Sequence, residues 1–135
     1  MNAPDPFPGT WIFIPAKSKM NGPSVQHWVQ YIDVSDRVIR VREDLTAGRH
    51  ASVSLEAKLD GKDYSVAGSS LADTIAYQRT DSHHLAGVGK KNGNVALRET
   101  ITVAPDNSTM TLTFAIFSGE KEVTNGVAFF ERTAR

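Results

Sequence analysis

Val95-Ala96-Leu97-Arg98-Glu99-Thr100-Ile101-Thr102-Val103 and, after the turn Pro105-Asp106-Asn107-Ser108, Thr109-Met110-Thr111-Leu112-Thr113-Phe114-Ala115-Ile116-Phe117 carry the pattern that decides the fold. In the first, Val95, Leu97, Ile101 and Val103 alternate with Arg98, Thr100 and Thr102; in the second, Met110, Leu112, Phe114 and Ile116 alternate with Thr109, Thr111 and Thr113. A period of two sends successive side chains to opposite faces of a strand, so each segment buries one face and wets the other. Glu99 breaks the pattern, an acid standing on the apolar face.

The same alternation runs through Val53, Leu55, Ala57 and Leu59 against Ser52, Ser54, Glu56 and Lys58. Strand-like stretches separated by turn clusters recur at roughly 8–12-residue intervals, the spacing of a sandwich or barrel. Strands are expected over residues 9–14, 25–34, 37–45, 50–59, 62–66, 73–80, 84–90, 95–103, 109–117 and 123–133. Asp60-Gly61 and Asn92-Gly93 are the sharpest hairpin signals, because a type I′ turn needs positive φ at both central residues. Pro15 stops the first strand, and residues 15–24 read as a loop crossing a barrel mouth. Connections of about 2–8 residues make neighbours antiparallel, and closing such a meander removes its two edges. The expected fold is all-β, a single antiparallel up-and-down barrel of about eight to ten strands over residues 9–135, with residues 1–8 as an N-terminal extension. A barrel wider than about eight strands is hard to fill with side chains, so an apolar lining implies a cavity for a small molecule.

Composition narrows the class. At 135 residues the chain can bury a core without covalent staples, and its lack of cysteine excludes disulfides and thiolate chemistry. Fifteen basic and fifteen acidic side chains cancel, leaving no broad field to attract nucleic acid. No run approaches the ~20 apolar residues of a membrane span. The first residues carry no signal-peptide pattern, which reads as cytoplasmic, or as secreted or periplasmic had a leader been removed.

Candidate chemistry is sparse. His83 and His84 are adjacent and leave opposite faces of a strand, and no spacing among the four histidines makes a metal site, so no cofactor is expected. His27, sharing a face with Val29 and Tyr31, and its neighbour Trp28 are placed at a pocket wall; an inward histidine could ligate haem, though a surface histidine is the ordinary reading. Glu99 is the sharper oddity, since a buried carboxylate must be paired, hydrogen-bonded or protonated; the bland alternative is a bulge or a rim position. Tyr64, Tyr77, Leu97, Leu112 and Phe114 complete the candidate lining, while Arg40, Arg42, Arg79 and Arg98 read as solvated charges. Gly87-Val88-Gly89-Lys90-Lys91 lacks the spacing of a phosphate loop and reads as a flexible strand end.

Gly9-Thr10-Trp11 resembles the Gly-x-Trp signature on the first strand of lipocalins, and Arg132 resembles the arginine that packs across that tryptophan. Pro15-Ala16-Lys17-Ser18-Lys19, Asp60-Gly61-Lys62-Asp63-Tyr64 and Gly68 to Asp73 are similar to segments of bacterial lipocalin-like proteins. With no cysteines, no C-terminal helix and about ten strands, the chain lies closer to the fatty-acid-binding-protein branch of the calycin group. The resemblance implies a barrel that binds small apolar, lipid-like molecules, with Gly9, Trp11 and Arg132 structural and no catalytic residue. Carrier or sensor of a small hydrophobic ligand is therefore the first expectation. The alternatives are a cyclase- or isomerase-type enzyme using Glu99 with a tyrosine or histidine, and a filled interaction domain displaying residues such as Val38 and Phe117. Monomer and homodimer are both open.

Overall fold

The computed structural model describes residues 5–21 and 24–133. Its strands are β1 (Gly9–Phe13), β2 (Lys19–Met20), β3 (His27–Ser35), β4 (Val38–Ala47), β5 (Arg49–Lys58), β6 (Tyr64–Ala67), β7 (Thr74–Asp81), β8 (His84–Lys91), β9 (Asn94–Val103), β10 (Thr109–Ser118) and β11 (Lys121–Arg132). β1, β3 and then each strand in turn to β11 pair antiparallel in chain order. β11 returns to β1, with Trp11 opposite Arg132 and Phe13 opposite Phe130, and closes a ten-strand up-and-down barrel. Closure pairs the first strand with the last and so removes the two terminal edges that an open meander would expose.

Two connections differ from the sequence reading. Within residues 15–24, Pro15–Lys17 forms a single 3₁₀ turn, and β2 lies outside the ring, pairing Lys19 with Val127 and Met20 with Gly126. Asn92-Gly93 makes the expected turn with φ of 52° and 82°, but Asp60-Gly61 does not close a two-residue hairpin. There the Gly61 N–H donates to the Tyr77 carbonyl at 2.9 Å, and Asp60 bridges to Gln78. The turn is drawn toward β7, and β6 pairs with β5 through Ser54–Ala67 and Leu55–Val66 alone among the described residues.

One bulge also resets a face. Gly89 opposes Leu97 while Lys90 opposes Val95, so Ala96 is the extra residue on β9. The parity expected for Val95 therefore passes to Ala96, which is buried, whereas Leu97, Glu99, Ile101 and Val103 keep theirs.

One end of the barrel is plugged. Phe7, Trp11, Ile39, Leu85, Val103, Met110 and Phe130 are fully buried there and along the axis. Trp11 Nε1 donates to the Phe7 carbonyl at 3.0 Å. The Arg132 guanidinium lies 4.2 Å from the Trp11 ring centroid and donates to the carbonyls of Pro6, Pro8 and Asn107. Such a stacked cation contributes about 0.5–2 kcal/mol while its polar edge is fully engaged. Gly9 makes room for it: its φ is 142°, and a Cβ there would sit 2.4 Å from Arg132 Nη1. Beyond the plug, Phe13, Trp28 and Phe130 pack with ring centroids 5.0 to 5.9 Å apart. Large rings spanning the axis thus fill much of the width that a ten-strand circumference opens.

Candidate functional site

Beside those rings the wall changes character, and the change begins at Gln30, directly opposite Trp11 in register. β3 turns Trp28, Gln30 and Ile32 inward and β4 turns Ile39, Val41 and Glu43 inward, with Gln30 directly opposite Glu43 in register. Glu43 Oε1 accepts from Trp28 Nε1 at 2.8 Å and from Gln30 Nε2 at 2.5 Å. Across the interior, Tyr77 on β7, Gly87 on β8 and Glu99 on β9 lie in one cross-strand row. The Tyr77 hydroxyl donates to Glu99 Oε1 at 3.1 Å.

Gly87 makes that second contact possible. A Cβ at this position would lie 2.9 Å from Tyr77 Cε1 and 3.0 Å from Glu99 Cγ and Oε1. Gly89, one inward position along, would bring a Cβ 3.1 Å from that of Ala72, so its bareness lets the segment after β6 fold down over the interior. The two glycines are thus spacers within a regular strand, β8, instead of the flexible strand end that their sequence suggests.

Between these groups lies a cavity of about 70 Å³, lined by Gln30, Glu43, Tyr77 and Glu99 and by apolar residues including Val41, Val53, Leu55, Ile75 and Leu97. Ser69, Leu71 and Ala72 cover it from the β6–β7 segment. Ser69 Oγ accepts the amides of Leu71 and Ala72, and Gly68 is pressed on the Ser52 carbonyl so closely that no side chain fits. β6 is the thinnest seam of the wall, held to each neighbour by two residue pairs.

The electrostatics follow from desolvation. No lysine, arginine or histidine lines the cavity among the described residues. Burial, reinforced by the negative charge of Glu43, pushes the Glu99 carboxyl up to about 7, against a smaller lowering by the Tyr77 hydroxyl. Burial also raises Glu43, partly offset by the donors on Trp28 and Gln30. Tyr77 is pushed well above its usual value by burial and then by Glu99 and Glu43, so it stays a neutral donor. Gln30 is 4% exposed, and its Oε1 has no hydrogen-bond partner. Such an orphaned buried acceptor costs about 1–3 kcal/mol, so its retention calls for an explanation.

Of the residues singled out from sequence, Tyr77, Leu97 and Glu99 meet at this cavity. Trp28 stands beside it as the donor to Glu43, Leu112 is packed in the core, and Phe114 lies opposite Glu99 in register. Tyr64 packs on the core while its hydroxyl donates outward to Asp60. His27 and Tyr31 are corrected: with Trp28, Gln30 and Ile32 inside, period two sends both to the outer face. There His27 is exposed and Tyr31 stacks under Arg42 at 4.2 Å. Gly9, Trp11 and Arg132 form the plug, with Trp11 directly opposite Gln30 in register. Val38 and Phe117 are half-buried on different strands, β4 and β10, and do not pair across the sheet. Glu43 and Gln30 escape the sequence reading, although Glu43 continues the inward series Ile39, Val41 and could have been found by that parity.

No group of three or more metal-ligating side chains is assembled among the described residues, and no helix there is long and apolar enough to cross a membrane. No protein-family model matches the chain, and no curated protein is significantly similar to it. The closed ten-strand antiparallel barrel is consistent with a calycin-like fold.

Proposed function

We propose that the barrel binds a compact, largely apolar molecule in its interior cavity, as a carrier or sensor of the lipocalin-like kind. The observation that carries this reading is the convergence of four polar side chains from β3, β4, β7 and β9 on one interior space whose other walls, Ser69 apart, are aliphatic. Binding sites commonly combine an apolar envelope with a few polar groups that fix orientation. A stability core has no use for that arrangement, since each buried carboxylate lowers stability unless it is paired. Size restricts the occupant. Drug-sized ligands occupy about 300–1,000 Å³, whereas this cavity holds about 70 Å³. Long acyl chains require the rings of Phe13, Trp28 and Phe130 to move; compact molecules do not. The β6 seam and the 68–73 segment are the natural way in.

Native mass spectrometry of protein purified from its source, followed by titration of a panel of compact apolar molecules with Trp28 emission as readout, tests the proposal. Saturable one-to-one binding that is lost on filling the cavity with Leu97→Phe supports it. Absence of saturable binding by every member of the panel, in protein shown to be folded, overturns it.

A second reading has one observation in its favour. A carboxyl held near 7 and hydrogen-bonded to a phenol is poised to exchange a proton at neutral pH, as acid–base catalysis requires. In that reading Glu99 and Tyr77 are the pair, and no histidine takes part because none lines the cavity among the described residues. Turnover of a bound compound that disappears in Glu99→Gln while binding persists would establish it.

A further inference from the structure

We propose that the cavity is built for a short-chain aliphatic primary amine, bound as its ammonium with its three N–H donors shared among the Glu43 carboxylate, the Glu99 carboxylate and Gln30 Oε1. The inference rests on the reading of the cavity as a ligand site and names the chemistry of the occupant.

The polar groups of the cavity wall hold more acceptor sites than donors. Most donors on and beside the cavity go to the carboxyls: Trp28 Nε1 and one N–H of Gln30 Nε2 to Glu43, and the Tyr77 hydroxyl to Glu99, which leaves the second Gln30 N–H and the Ser69 hydroxyl. Acceptors remain in excess. Each carboxylate carries about four lone-pair sites, yet the hydrogen bonds found use Oε1 of Glu43 twice and Oε1 of Glu99 once. The Gln30 carbonyl oxygen, on a side chain more than nine-tenths buried and lining the same space, has none. Open acceptor sites outnumber the two remaining donors, so the ligand suited to this wall is rich in donors. An ammonium has three donors and no acceptor, whereas a hydroxyl brings one donor and two further acceptor sites.

Charge points the same way. The titratable groups facing the cavity are Glu43 from β4, Tyr77 from β7 and Glu99 from β9, and no cation balances them among the described residues. Two like charges in a desolvated space hold one another protonated, whereas one positive ligand lets them ionise. Arg79, which also lies on β7, is engaged with Asp5 at 2.6 Å and stacks on Phe7 at the plug, so it does not serve as that counter-ion.

The walls set the rest of the molecule. Val41, Val53, Leu55, Ile75 and Leu97 offer no hydrogen bond, which calls for an aliphatic tail. At about 10–15 Å³ of free space per water-sized group, a volume of about 70 Å³ holds about five non-hydrogen atoms, so the ammonium carries a tail of about two to four carbons.

The test is isothermal titration of the intact protein with n-propylamine, n-propanol and propionate, near pH 8 and near pH 5.5, on wild type, Glu99→Gln and Glu43→Gln. The expected result is saturable binding of n-propylamine near pH 8, weakened about tenfold or more in either variant and near pH 5.5, with propionate excluded. The sign follows from Glu99, which is ionised above about 7 and protonated below it, while the amine stays charged to about pH 10. Using two variants keeps the test decisive if one fails to fold. If n-propanol binds as tightly as n-propylamine, or if both variants retain amine affinity, the ammonium assignment falls and the ligand site stands. If none of the three binds and the panel of apolar molecules also fails, both fall.

Discussion

Two neighbouring regions of the barrel interior, which meet where Trp11 lies opposite Gln30 in register, treat buried polar groups in opposite ways. At the plug, the Trp11 indole N–H and the Arg132 guanidinium spend their donors on the carbonyls of Phe7, Pro6, Pro8 and Asn107. Donors there meet main-chain acceptors, over a fully buried indole ring. Around the cavity, two carboxyls and an amide oxygen share too few donors. The first arrangement lowers the free energy of the folded chain; the second raises it unless something arrives to complete it. The contrast separates a structural polar contact from a recognition surface without any reference to relatives.

The largest break in that contrast is at the plug. Trp11→Ala removes a fully buried indole and the platform for Arg132. A loss of about 3–5 kcal/mol in urea unfolding is expected. Because Trp11 does not line the cavity, the titration of Glu99 in whatever folded fraction remains should stay near its wild-type position.

Glu99→Gln is expected to act with the opposite sign. The folded-state carboxyl is raised from an ordinary 4.5 to about 7, so the folded protein binds the proton more tightly than the unfolded chain. Its contribution is fully present below about pH 4.5 and is lost as pH rises through 7, a swing of about 3 kcal/mol at most. Glu43, raised in the same direction, adds to the slope. Glu99→Gln removes most of this pH dependence and makes the variant more stable than wild type above pH 7, as unfolding midpoints at a series of pH values would show. A variant that stays less stable than wild type above pH 7 would mean that Glu99 has an undetected partner.

Arg132→Lys should have a smaller effect than either change, a loss of about 1–2 kcal/mol. Lysine keeps the charge over the ring but loses the planar fork that reaches several carbonyls at once. Thermal unfolding should report the loss, with the pH slope attributed to Glu99 unchanged.

Legibility divides along the same line. The barrel could be read because period-two alternation and turn residues are local signals; Met110, Leu112 and Phe114 announce their face, and Asn92-Gly93 announces its turn. β2 could not be read, since two residues carry no period, and the Asp60-Gly61 turn was overridden by contacts with β7 remote in sequence. Glu99 showed itself by standing among apolar neighbours on β9. Glu43 was hidden because Arg42-Glu43-Asp44 looks like a solvated charge run, and only its phase with Ile39 and Val41 betrays it. His27 and Tyr31 show how unforgiving that phase is, as one residue of slip exchanges inside for outside. Cavity size was the least legible quantity, because it depends on how far Phe13, Trp28 and Phe130 reach across the axis.

The finest probe of the contrast is Gly87→Ala. An added methyl on β8 meets the Tyr77 ring at 2.9 Å and the flexible Glu99 side chain at 3.0 Å. The ring is held by the core, so the carboxyl is the group that yields. Overpacking of this kind costs up to about 1–3 kcal/mol, here at the low end because alanine also suits a strand better than glycine and the carboxyl can swing into the cavity. The Tyr77–Glu99 hydrogen bond, which lowers the Glu99 pKa, is broken, so Glu99 should titrate higher than in wild type, readable by following its side-chain carbon with NMR across pH 5 to 9. An unchanged titration with intact stability would show that the row Tyr77–Gly87–Glu99 is merely packed, with no spacer role for the glycine. An upward shift would show that a single missing Cβ on β8 sets the proton affinity of the cavity wall, while the plug, whose polar groups are held by the main chain, stays as it was.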